Sequence, residues 1–71
     1  MKENFIELTS DGVKVLVNLM NVIKILSEKE GGAWIEFNFI REKYPFRILV
    51  GESYDEVKKL IGLTKREAKV L

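Results

Sequence analysis

The chain lacks cysteine and histidine altogether, and has a single proline and a single tryptophan in 71 residues. Without cysteine no disulfide can brace it, and without either residue type a Zn or Cu site loses its usual ligands. Nucleophilic catalysis of the Cys–His or Ser–His kind is excluded by the same two absences. No apolar run approaches the roughly 20 residues of a membrane span; Asn18, Asn21 and Lys24 interrupt the longest candidate, Val13 to Leu26. Nor does Met1-Lys2-Glu3-Asn4 lead into the apolar core of a signal peptide. The expected location is therefore the cytoplasm, with no membrane contact and no cofactor.

A chain this short forms one domain and hides only about 60% of the surface its unfolded form exposes. With disulfides and the common metals excluded, oligomerisation is the remaining route to extra stability. The net charge is +1, too small to imply an anionic partner. Its distribution is less even, since residues 58–71 carry +4 and residues 1–57 carry −3.

What is present reads mostly as strand. Phe5-Ile6-Glu7-Leu8-Thr9 alternates, and Ser10-Asp11-Gly12 follows as a hairpin turn in which Asp-Gly tolerates positive φ. The second strand is Val13 to Val17, with valines 13, 15 and 17 on one face. Asn18 to Asn21 is a short connection, and β-branched Val22, Ile23 and Ile25 favour a third strand to Leu26. Ser27 to Gly32 turns the chain into the longest strand, Ala33 to Arg41. There Trp34, Glu36, Asn38 and Ile40 share one face, and Ile35, Phe37 and Phe39 the other. Glu42-Lys43-Tyr44-Pro45 is expected to turn the chain into a fifth strand, Phe46 to Val50.

Ser53 with Glu56 forms a capping box, and Tyr54, Val57, Leu60 and Ile61 fall on one helical stripe. Gly62 is placed as the stop of a helix over 53–62, leaving a basic tail over 63–71. Thr64-Lys65-Arg66-Glu67 repeats the capping pattern, so the tail is either a second short helix or frayed. The predicted class is α+β: an antiparallel meander of about five strands followed by one C-terminal helix. One helix covers one face of such a sheet, yet strands two, three and five carry apolar residues on both faces. Either the sheet curls into a barrel or a partner subunit covers it, and the second option predicts a dimer.

The runs Phe5-Ile6-Glu7-Leu8-Thr9, Gly12, Val17-Asn18 and Ile23 to Ile25 together resemble the small FlbD proteins associated with bacterial flagella and swarming. Gly31-Gly32-Ala33-Trp34-Ile35-Glu36-Phe37 and Val50-Gly51-Glu52-Ser53-Tyr54-Asp55-Glu56-Val57 extend the likeness over residues 5–62. The Tyr44-Pro45 turn and the basic tail are not part of it. The resemblance implies a small bacterial or phage protein and brings no catalytic residue with it. The strand-strand-helix ending is also similar, at fold level alone, to LytTR-type DNA-binding domains.

Candidate chemistry is sparse. Ser53 is accounted for as a helix cap, and Asp55 and Glu56 as acidic groups matched to the helix dipole. Glu28 with Glu30 has oxygen ligands suited to a hard cation but no EF-hand spacing. Asp11-Gly12 and Gly31-Gly32 lack the strand–loop–helix context of a phosphate site. Two surfaces remain. Trp34, Ile40, Phe46 and Ile48 are the expected interaction surface for a second copy or an unknown protein partner. The alternative is nucleic acid, met by Lys58, Lys59, Lys65, Arg66 and Lys69, although the pI of about 8 is below the range of dedicated binders.

Overall fold

The computed structural model of the chain describes residues 4–69, with side chains as far as residue 62. Five strands precede one helix: β1 (Phe5–Ser10), β2 (Val13–Asn18), β3 (Val22–Ser27), β4 (Ala33–Arg41), β5 (Tyr44–Val50) and α1 (Tyr54–Lys69). All strand pairs are antiparallel, so the α+β class and the meander order follow the expectation. The meander is nevertheless divided. β1 and β2 form one sheet, and β3, β4 and β5, in that order, form another. The break falls at a 3-10 turn, Leu19–Asn21, which Asn18 caps by accepting a hydrogen bond from the Met20 amide.

The Asp11-Gly12 turn has positive φ at both residues (56° and 78°), one of the two arrangements whose twist matches that of a two-residue hairpin. The second hairpin differs from the expected four-residue turn. Arg41 pairs with Tyr44, so only Glu42 and Lys43 turn the chain, with Glu42 at φ 63°. Pro45 therefore sits inside β5, opposite Ile40. A proline is tolerated there because β5 is at the edge of its sheet, where one side of the backbone lacks a ladder partner.

The two sheets bury their inner faces against each other. Ile6, Leu8 and Val17 come from the first, Ala33, Ile35 and Val50 from the second, and Val57 of α1 completes the buried core. Ile25 and Ile48 flank Ile35 across the ladder, and Leu60 and Ile61 of the helix pack at the periphery. This answers the expected problem of a sheet covered on one face: the meander folds back on itself, and the helix lies against β1 and β3.

One polar corner ties the sheets together. The Thr9 amide and hydroxyl both donate to the Glu52 carboxylate, at 2.8 and 3.0 Å. The Gly51 amide donates to the Thr9 carbonyl at 2.8 Å, and the Ser10 hydroxyl to the Leu49 carbonyl at 3.0 Å.

The helix begins as predicted. Ser53 Oγ accepts from the Glu56 amide (3.1 Å), while Glu56 Oε1 accepts from the Ser53 amide (2.8 Å). It does not stop at Gly62 but runs on to Lys69, without the left-handed conformation a glycine stop adopts. One glycine costs a helix interior about 1 kcal/mol relative to alanine, and the strong helix formers on either side continue the helix through it.

Candidate interaction surfaces

The outer face of the three-stranded sheet is built around Trp34. In register, Leu26, Trp34 and Leu49 form one row across the three strands. The next row holds Glu36 opposite Arg47, with Lys24 reaching Glu36 at 3.8 Å. Trp34 is only part-buried, but both its polar and its aromatic contacts are already made within the chain. Its Nε1–H donates to Glu28 Oε1 at 2.7 Å, and the Arg47 guanidinium lies 4.5 Å from the ring centroid. Glu28 and Glu30 are thus not a paired ligand set, since Glu28 holds the indole. Among the described residues no group of three acidic side chains converges on a metal position.

The four residues expected to share a surface are separated by the fold. Ile48 pairs with Ile35 and faces the core, on the opposite side of the sheet from Trp34. The reason is parity: Ile48 stands opposite Ile35, and Trp34, one residue before Ile35, points the other way. Ile40 and Phe46 lie farther out, in the distal half of the β4–β5 hairpin.

That distal half is the most exposed apolar part of the sheet. Between the pairs Glu36↔Arg47 and Ile40↔Pro45 the register shifts, so that residues 37–39 oppose Phe46 alone. The bulge lets two rings of β4 meet one of β5. Phe46 stacks on Phe39 (centroids 5.0 Å apart, 13° between planes) and tilts against Phe37 at 5.6 Å. Arg41 covers Phe46 at 5.7 Å. Phe37 reaches the core, but every residue of β4 beyond it is exposed. Phe39, Ile40 and Tyr44 are 50%, 64% and 72% accessible.

Three further large apolar side chains are exposed between the middle of β2 and the start of β3. Leu16, Met20 and Ile23 are 69%, 70% and 58% accessible. Leu16 stands opposite Glu7 on the outer face of the two-stranded sheet. Ile23 is the extra residue of a β-bulge between Val22↔Phe37 and Lys24↔Glu36, which turns its side chain out of the core alternation. Sequence pattern alone shows the apolar residues here; the bulge that exposes Ile23 is visible only in the pairing.

Of the basic residues, Lys58 and Lys59 are exposed on the helix, and the Lys58 ammonium lies 5.4 Å from the Tyr54 ring centroid. The side chains of Lys65, Arg66 and Lys69 lie outside the described residues. Among the described residues one titrating group is perturbed. Partial burial acts to raise the Glu52 pKa, but the hydrogen bonds from Thr9 and its own amide, with the Lys14 charge, outweigh it and leave the carboxyl below its usual value. Among the described residues no helix is long and apolar enough to cross a membrane. The chain matches no protein-family model, no curated protein and no solved structure.

Proposed function

We propose that the protein is a non-enzymatic interaction module that associates with itself. One observation carries this reading: the described residues bury seven hydrophobic side chains and leave ten large ones exposed. Scattered exposed apolar residues are ordinary, but Phe39, Ile40 and Tyr44 gather at the end of one hairpin, and such concentration is the mark of a contact surface. The most exposed part of the hairpin combines isoleucine with aromatic rings and an arginine, the last two being side-chain types enriched in protein interfaces.

The likeness to FlbD proteins is compatible with such a role. The test is the mass of the full chain by size-exclusion chromatography with light scattering, from about 1 to 100 µM and at two salt concentrations, a range that spans micromolar affinities. A dimer or larger species that persists in high salt is the expected result. A monomer throughout would refute the reading.

A further inference from the structure

We infer that the free edge of β2 pairs antiparallel with β2 of a second copy, centred on Val15, so that two two-stranded sheets join into one of four strands. The inference rests on the self-association proposed above and adds a backbone contact to the side-chain surface at the hairpin end.

The hydrogen bonds of β1 reveal which backbone groups β2 has to offer. Thr9 stands opposite Lys14 in the ladder, yet its amide donates to Glu52 and its carbonyl accepts from the Gly51 amide. Thr9↔Lys14 is therefore a pair without hydrogen bonds between its members. The alternation of an antiparallel ladder places Glu7↔Leu16, two residues on, in the same class. The amides and carbonyls of Lys14 and Leu16 thus point away from β1, toward an edge that no other described strand occupies.

The other described edges each carry an obstruction. The far edge of β1 is occupied at Thr9 by Gly51 and Glu52. β5 contains Pro45, and β3 is interrupted by the bulge at Ile23 and has α1 lying against it. β2 has no such device. All six of its residues pair with β1 in unbroken register, it holds no proline, and Lys14 is its one charge.

A second copy is the occupant because the strand complements itself. With the two Val15 residues opposite each other, Lys14 of each copy stands opposite Leu16 of the other, and all the outward groups of both residues find partners. Sliding the pairing by two residues one way would oppose the two Lys14 charges. Sliding it the other way would carry the pairing into Asn18, where the strand gives way to the 3-10 turn. The Val15 register also covers exposed side chains. Leu16, 69% accessible, gains the aliphatic stem of Lys14, and Val13, 60% accessible, stands opposite Val17.

The test is a charge exchange in the full-length chain, read by light scattering over the same concentration range. Leu16→Lys sets two lysines opposite each other at both ends of the pairing, while within its own chain the new ammonium faces Glu7, which favours the fold. Association should weaken at least about tenfold. Adding Lys14→Glu to Leu16→Lys sets opposite charges across the pairing and should restore the association of the parent chain. Both positions are exposed, and circular dichroism with thermal melts verifies that each variant is folded. A parent chain that stays monomeric overturns self-association and the β2 pairing together. A parent that associates while Leu16→Lys associates equally well, or a double variant that gains nothing over Leu16→Lys, overturns the β2 pairing alone.

Discussion

Replacing Glu52 with alanine removes the carboxylate that joins the two sheets. Thr9 lies on β1 and Glu52 just beyond β5, strands that belong to different sheets. The perturbation deletes two hydrogen bonds of 2.8 and 3.0 Å to an ionised acceptor and leaves the Thr9 amide without that partner. Hydrogen bonds to charged groups contribute about 1.5–3 kcal/mol each, and the lower end applies at a part-exposed site where water substitutes. A loss of about 2–3 kcal/mol follows, which for a domain of this size lowers Tm by roughly 10–20 °C.

The pH dependence gives an independent reading. The folded pKa of Glu52 is depressed, so its contribution is fully present above the ordinary value of 4.5 and is lost as pH falls through the folded pKa. Urea melts of the parent chain and of Glu52→Gln between pH 7 and pH 3 should therefore converge as the pH falls below 4.5. A Glu52→Ala protein within about 0.5 kcal/mol of the parent at pH 7, the range of ordinary surface changes, would refute the account of the corner.

Three further outcomes are expected. Gly32 has φ +86°, and a Cβ there would collide with the Val50 carbonyl oxygen, whereas Gly31 at φ +108° faces open space. Gly32→Ala should thus cost well over the roughly 1–2 kcal/mol of backbone strain expected for Gly31→Ala, measured by denaturant unfolding. Trp34→Ala should destabilise the fold by about 3 kcal/mol through lost packing and the freed Glu28 and Arg47 partners, and Trp34→Phe by about 1 kcal/mol, both read from chemical melts. Glu42→Gly should stabilise the hairpin by up to about 1 kcal/mol, since Glu42 occupies a left-handed conformation that glycine adopts without strain; a lower Tm would contradict this.

Local chemistry was legible in the sequence wherever a short stretch determines its own conformation. Asp11-Gly12 takes positive φ at both residues, a turn that suits a two-residue hairpin, and Ser53 with Glu56 closes the capping box atom for atom. The alternation of Ala33 to Phe37 placed Ile35 in the core, because a pleat sends neighbours to opposite faces. Where a local preference was overridden, the cause lay in its surroundings. Gly62 reads as a stop but is carried through by its helical neighbours, and Pro45 reads as a turn but fits the edge of a sheet.

Only the tertiary structure decided which surfaces exist. Trp34 and Ile48 are both plausible contact residues in one dimension, yet the register puts them on opposite faces of one sheet. The indole is already engaged by Glu28 and Arg47, six and thirteen positions away, and no local rule relates those residues. The two bulges, at Ile23 and opposite Phe46, come from the pairing of whole strands, and they turn otherwise unremarkable apolar residues outward. Composition and periodicity determined a small α+β domain with more apolar side chains than one helix can cover. How the strands pair determined which of them the fold buries and which it leaves exposed.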